Sequence, residues 1–348
     1  MPTEPPEKTA FDLIFPLEAT GVVFTDPYRD NITRNSCSTI SVDIPADTEV
    51  SYSFQAGDKL LPDPHNADNA GPHTSILCGS SVDRQLWPAR PHTHSATLPG
   101  TRLRLDKELF ARRCTARLDK RESEYTVVFL DGDDWIHLHD LTTALDRAVA
   151  HNLIPEVTRV FVPAALERTA EYTSAIFANA LAQQLPGALD TQSIIVVGQS
   201  FSGLAAVRAG LISARDAQNA SHPHHSPTIH GVIAQSPALW WGPHASANQN
   251  LDGPLGGIIA EELQTYVSSN QLLPTAAPHH ECARLLPQFL LTTGTEEAAM
   301  HKHVDHVAHL LHQAGISAHY RTTAGGHDPA AWRHEIVPAL AQLIDNPS

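Results

Sequence analysis

The run Ile194-Ile195-Val196-Val197-Gly198-Gln199-Ser200-Phe201-Ser202-Gly203-Leu204-Ala205-Ala206 limits the choice of fold more than any other stretch of the chain. Its first four residues are apolar and β-branched, the pattern of a parallel strand buried on both faces, and a small-residue helix follows almost at once. Between strand and helix stand a glycine and a serine. A turn this tight holds its central residue in a strained backbone conformation with its hydroxyl exposed, provided that the positions two before and two after are small. Gly198 meets the first requirement; Ser202, with Gly203 directly behind it, occupies the second. Ser200 is therefore the candidate nucleophile in preference to Ser202, because only Ser200 has a glycine two residues upstream. A plain βα turn with two helix-capping serines is the competing reading.

The surrounding pattern agrees with a parallel sheet. Strand candidates at 125–130, 157–162, 193–197, 230–234, 287–291 and 317–321 alternate with helical segments at 138–151, 172–184, 204–219, 257–268, 297–314 and 330–344. Such alternation gives an α/β fold, a mostly parallel doubly wound sheet with helices on both faces and its chemistry at the carboxyl ends of the strands. The first third differs. Short β-prone segments at 19–24, 38–44 and 48–54, then a proline- and histidine-rich stretch over 61–99, fit a small β-sandwich with long loops. Residues 108–118 read as a further strand. The expected division is a β-rich N-terminal domain over 1–115 and a catalytic domain over 116–348.

An exposed serine needs a base and an orienting acid. Ala324-Gly325-Gly326-His327-Asp328 follows the last strand, and its paired glycines let the loop approach a neighbouring turn, so His327 is the candidate base. Gly294-Thr295-Glu296-Glu297 follows the strand before it; Glu297 is the preferred acid, Glu296 the runner-up and Asp305 a distant third. Oxyanion donors are expected from the amide of Phe201, next to the serine, and from that of Asp133, in the turn Leu130-Asp131-Gly132-Asp133-Asp134-Trp135. Trp135 would line a pocket or fill the core.

Composition narrows the partners. A net charge of -15 argues against nucleic acid and means that any anionic substrate needs a local basic group. Apolar runs are too short to span a membrane and the opening residues lack a signal-peptide pattern, so a cytoplasmic protein acting on a small molecule is expected, with oligomeric state open. Cys37, Cys78, Cys114 and Cys282 form no close pair. The 22 histidines include His222, His224 and His225 in one loop and His301, His303, His306, His309 and His312 along one helix; without carboxylate or cysteine at ligand spacing they read as solvated residues, and neither metal nor cofactor is expected.

Taken together these motifs resemble the enterochelin (enterobactin) esterases and the wider esterase-D-like branch of α/β-hydrolases. The resemblance rests on Leu130-Asp131-Gly132 with Trp135, Arg168 with Glu171, Gly198-Gln199-Ser200-Phe201, Gln235-Ser236 with Trp240-Trp241, Gly294 with Glu297, and Gly325-Gly326-His327-Asp328 with Trp332-Arg333. It implies an α/β-hydrolase whose β-rich N-terminal domain covers the active site, acting as a serine hydrolase on the trilactone esters of a catecholate siderophore such as ferric enterobactin. Trp135, Trp240 and Trp241 would then face catechol rings and Arg168 the anionic ligand. The scaffold alone does not fix the acyl group, and another ester or thioester hydrolase or an acyltransferase is the alternative.

Overall fold

The computed structural model describes residues 7–89, 101–105, 114–189, 193–219, 228–242, 251–268 and 286–345. His222, His224, His225, Cys282 and the first part of the strand expected over 108–118 lie outside them.

The N-terminal unit is built from alternating strands. β1 (Lys8–Ile14) pairs antiparallel with β4 (Thr39–Pro45), while β2 (Gly21–Phe24), β3 (Ile32–Thr33), β5 (Glu49–Ala56), β6 (Lys59–Leu61) and β7 (Ser75–Cys78) form a five-stranded antiparallel sheet. Leu13, Val42 and Ile44 from the first ladder pack on Val22, Tyr52 and Phe54 from the second. The side-chain period of two divides the work of β5. Val50, Tyr52 and Phe54 enter this core, whereas Glu49 and Ser51, buried as well, point the other way and bond to Arg333 and Asp328.

The second unit is an eight-stranded sheet. Its edge is an antiparallel pair, β8 (Thr101–Leu105) and β9 (Cys114–Asp119), so the sheet takes in residues on both sides of position 115. β10 (Tyr125–Leu130), β11 (Thr158–Val162), β12 (Ser193–Gln199), β13 (Thr228–Gln235), β14 (Gln288–Gly294) and β15 (Ala318–Thr323) run parallel, in the order β15-β14-β13-β12-β10-β11-β9-β8. The inner strands β10 to β14 are buried on both faces because both are covered, whereas the edge strand β15 is largely exposed. Val128, Val196 and Val232 pack under α3 (Arg168–Tyr172), α4 (Ala175–Asn179), α6 (Phe201–Asn219), α7 (Gly257–Ser268) and α8 (Ala298–Gln313). Val127, Val197 and Ile233 pack under α1 (Gly132–His137), α2 (Leu141–Ala150) and α9 (Pro329–Asp345). The chain reverses direction across the sheet between β10 and β12, and a crevice opens at such a switch point. The fold is that of an α/β-hydrolase with a small β-rich unit in front of it. No helix among the described residues is long and apolar enough to cross a membrane.

One expected helix starts late and one is broken. Of residues 138–151, 141–150 form α2 behind Asp140 at φ 51, and the separate short helix α1 precedes it. Residues 172–184 divide where the Ser174 hydroxyl accepts from the Ile176 amide and starts a new helix. Its continuation widens over Ala180–Gln184 just before α5 (Leu185–Leu189), whose Pro186 has no N–H to continue the ladder.

The two units meet through ionised groups sealed from water. Glu49 has no exposed surface and bonds the Arg333 guanidinium, with His334 Nε2 at 2.9 Å and Arg84 at 3.5 Å. Burial alone would raise the carboxyl, but Arg333, His334 and Arg84 outweigh it and hold it at about 2. A lowered carboxyl stabilises the fold above its unfolded value and ceases to do so as the pH falls through its folded value. Glu49→Gln is expected to lose about 3 kcal/mol at pH 7, with wild type and variant converging as pH drops from 4.5 toward 2. Urea denaturation across that range checks this; equal stability at pH 7 would refute it.

Candidate active site

Three strands end in residues with positive φ that are not glycine: Asp131 after β10 at 55°, Ser200 after β12 at 54° and Ser236 after β13 at 44°. Side chains rarely adopt this conformation, and clustered strain marks sites held for a purpose. Each strained turn is stitched to its neighbours. The Ser200 amide donates to the Gln235 carbonyl at 3.0 Å, the Ser236 amide to the Thr292 carbonyl at 2.7 Å, and the Ala238 amide to the Ser200 carbonyl at 2.9 Å.

The elbow needs Gly198 for lack of space, since a Cβ there would stand 2.3 Å from the Ser202 carbonyl oxygen. Ser202 itself is fully buried. Its hydroxyl accepts from the Gln199 amide at 2.7 Å and lies 2.7 Å from Asp131 Oδ2, so this serine ties the elbow to the neighbouring turn and leaves Ser200 as the accessible hydroxyl. Beneath the elbow runs a buried chain of donors: Trp135 Nε1 to Gln199 Oε1 at 3.1 Å, Gln199 Nε2 to Gln235 Oε1 at 3.0 Å, and Gln235 Nε2 to the Trp332 carbonyl at 2.7 Å.

Glu297 is brought to His327. The carboxylate is completely buried, accepts the Gly294 amide at 2.5 Å and the Ser236 hydroxyl, and lies 2.6 Å from His327 Nδ1. With a carboxylate on Nδ1, that nitrogen carries the proton and Nε2 offers its lone pair. Trp332 stands edge-on to the imidazole at 4.8 Å and donates its Nε1 hydrogen to Ser236 Oγ at 2.9 Å. No hydrogen bond joins Ser200 Oγ to His327 among the described residues; contacts of this kind tighten when substrate binds. Glu296 instead accepts two hydrogen bonds from Arg29, at 2.7 and 2.8 Å, and Asp305 makes no bond to the histidine.

The amides of Phe201 and Asp133 stand at the first turns of α6 and α1, and neither donates to a protein acceptor among the described residues. Helix starts leave such donors free for a developing negative charge. Arg168 is placed close by, but its guanidinium is engaged with Asp131 through two hydrogen bonds of 2.7 Å; Asp131 also accepts the Tyr172 hydroxyl at 3.1 Å. Trp135 lines a cavity of about 250 Å³ between the units, with Thr25 and Ser51 from the N-terminal side and Asp134, Arg168 and Trp332 opposite. Trp240 and Trp241 do not line it. Both are half-buried against the core of the α6 face, Trp240 edge-on to Phe201 at 5.8 Å.

Sequence reasoning missed the N-terminal contribution. Asp26, in the loop after β2, is buried against Gly326, where a Cβ would stand 1.8 Å from its Oδ2. Burial, followed by the nearby Glu297 charge among the raising influences, pushes its carboxyl up despite the Tyr28 amide. Tyr28 lies edge-on to His327 at 6.1 Å, its phenol pushed up to about 12 by burial and by Glu297 and Asp26. Asp328 accepts the Ser51 amide at 2.6 Å and hydroxyl at 2.8 Å. The signal available was the turn sequence Thr25-Asp26-Pro27-Tyr28-Arg29, which marks a loop but not what it touches. The helix histidines hold no metal-like cluster among the described residues; His303, buried, receives the Gly256 amide on Nδ1 at 3.3 Å and bonds the Leu251 carbonyl through Nε2 at 2.8 Å.

Comparison with known proteins follows the same geometry. The curated iron(III) enterobactin esterase of Escherichia coli strain CFT073 is 26% identical over 234 residues, 64% of this chain and 50% of the relative. The iron(III) salmochelin esterase of that strain is 24% identical over 233 residues, 62% of this chain and 50% of the relative. The chain thus spans about half the length of the curated relatives it matches. Among solved structures, an enterobactin esterase from Shigella flexneri superposes with a TM-score of 0.71 at 19% identity, covering 97% of this chain and 93% of that one. The ferric enterobactin esterase from Salmonella typhimurium gives 0.71 at 20% identity, with the same coverage of 97% and 93%. The family model "Esterase", described as "Putative esterase", matches residues 116–343, and the chain belongs to that esterase family.

Proposed function

We propose that the chain is a serine esterase that opens the ester bonds of a catecholate siderophore such as enterobactin through an acyl intermediate on Ser200. The observation that carries the chemistry is the 2.6 Å contact between Glu297 and His327 Nδ1, together with a serine held at φ 54 at the end of β12. In this reading Ser200 Oγ attacks the ester carbonyl and gives its proton to His327 Nε2. The Phe201 and Asp133 amides take the oxyanion, and Glu297 orients the imidazole and stabilises its charged form. The imidazolium then protonates the leaving alkoxide. Water, deprotonated by the same histidine, attacks the acyl-serine, releasing the carboxylic acid and restoring the hydroxyl.

The substrate class is supported by the relatives, two of which are named for iron(III) enterobactin and iron(III) salmochelin, and by the rings of Trp135 and Trp332 along the cavity. We place the protein in the cytoplasm as part of this reading. The reading assigns residues 1–115 to a covering domain and 116–348 to catalysis, although β8, inside the first range, pairs with β9 in the eight-stranded sheet of the second.

Ser200→Ala is expected to lower kcat by at least about 10⁴-fold with an unchanged thermal midpoint. Chromatography with mass detection of linear trimer, dimer and monomer from enterobactin checks it, and retained turnover would sink the mechanism. Glu297→Gln should cost about 10²- to 10⁴-fold in kcat, since the histidine loses its orienting charge. Ser202→Ala should cost about 1–3 kcal/mol of stability while a fluorophosphonate still labels Ser200; peptide mapping that finds the label on Ser202 in the wild type would move the nucleophile.

A further inference from the structure

The geometry points to Asp26 as a positioning residue for His327: its carboxylate, supplied by the N-terminal unit, stabilises the imidazolium that forms when the histidine takes the proton of Ser200. The inference rests on the serine-esterase reading above and concerns the base in that reading.

The way the carboxylate is held gives the first argument. Asp26 is 1% exposed and lies in the loop between β2 and β3. Its Oδ1 accepts the Tyr28 amide at 2.9 Å, the bond of a tight turn. Its Oδ2 is sealed from water and has no hydrogen-bond partner among the described residues. That oxygen is turned to the loop of the histidine, so close to Gly326 that a Cβ there would stand 1.8 Å away. The His327 amide lies near enough to favour the ionised form without completing a hydrogen bond. A turn uses one oxygen, and an asparagine or serine would supply it equally well. The second oxygen is a buried acceptor left unfilled, a cost that calls for a purpose beyond the turn.

The surrounding charges give the second. Burial is the largest influence on the Asp26 carboxyl and pushes it up, helped by the nearby Glu297 charge; the Tyr28 and His327 amides and a positive charge on His327 act the other way. Two carboxylates therefore attend one imidazole. While the ring is neutral they repel each other, and once it is protonated each gains an opposite charge. An interaction that strengthens only as the imidazolium forms lowers the barrier instead of tightening the ground state. The other titratable groups packed about His327 and Glu297 are already committed. Glu296 and Arg29 pair with each other, Asp328 is held by the Ser51 amide and hydroxyl, and His301 is bonded to the Gly294 carbonyl at 2.8 Å. Burial raises the phenols of Tyr28, to about 12, and of Tyr320, so both stay neutral.

The test uses the full chain and a neutral activated ester, p-nitrophenyl butyrate, so that charge on the substrate plays no part. Both kcat and KM are measured from about pH 5 to 9 for wild type, Asp26→Asn and Asp26→Ser; each variant keeps an acceptor for the Tyr28 amide and removes the charge. Circular dichroism and fluorophosphonate labelling of Ser200 report whether each is folded. In both variants we expect the acid limb of kcat/KM to move by at least about 0.5 unit to lower pH, because an imidazolium without its second carboxylate forms less readily. Plateau kcat should fall about three- to thirtyfold with KM changed by less than about twofold. An acid limb that stays in place or moves to higher pH, in either variant that folds, would reduce Asp26 to a turn cap and overturn the inference while the esterase reading stands. Absence of both hydrolysis and Ser200 labelling in wild type would remove that reading, and the inference with it.

Discussion

A carboxylate taken out of water must find donors in the protein, and four such groups tie this molecule together. Glu297 is bonded by the Gly294 amide, the Ser236 hydroxyl and His327; Asp131 by Arg168, Tyr172 and Ser202; Asp328 by Ser51 and the Ala330 amide; Glu49 by Arg333 and His334. Each of these groups is buried, and each draws at least one donor from a segment distant in sequence. Ionised hydrogen bonds of this kind are about twice as strong as neutral ones and direct the geometry of both partners. Removing one donor strands a charge, so the set constrains the loops at the end of the sheet more tightly than apolar packing would.

The same bonds tie the small β-rich unit to the loop of His327. The loop that carries His327 is gripped along its length from the N-terminal side: a Cβ on Gly325 would stand 2.4 Å from Thr48 Oγ1, Gly326 faces Asp26, Asp328 holds Ser51, and Arg333 holds Glu49. Arg29 meanwhile holds Glu296, the neighbour of Glu297. The paired glycines at 325 and 326 therefore answer to pressure from the front as well as to the turn itself, where Gly325 adopts φ 103. Position and orientation of the imidazole depend on both units being in register.

Much of this was legible in the sequence where it depended on local pattern. The helix expected over 257–268 is α7 residue for residue, and α8 and α9 fall within one residue of expectation, because long amphipathic segments with clear ends leave little choice. The turn after β12, Glu297 after β14 and His327 after β15 could be placed from sequence because they stand at strand ends of a parallel sheet, and Glu297 and His327 do meet. What was not readable is what each side chain meets across the fold. Arg168 looked like a free cation, yet Asp131, 37 positions earlier, takes both of its short bonds. Trp240 and Trp241 carry the family pattern but face the core of the α6 side. Asp26 was legible only as part of a turn, since its importance lies in a contact made 300 residues downstream at Gly326.

The strained turns and the buried carboxylates are two aspects of one design. Asp131 holds a positive φ while its carboxylate anchors Ser202, which in turn braces the elbow of Ser200; Ser236 holds a positive φ while its hydroxyl anchors Glu297, which orients His327. Backbone strain of about 1–3 kcal/mol at each residue persists only where neighbouring bonds over-determine it. Here those bonds come from the groups that would perform catalysis or hold them. Relaxing any one turn would release a hydrogen bond to a buried charge, and that penalty keeps the amides of Phe201 and Asp133 and the ring of His327 fixed before a substrate arrives. Preorganisation of this sort is what electrostatic stabilisation of an oxyanion requires, since donors that had to reorient during the reaction would add that cost to the barrier.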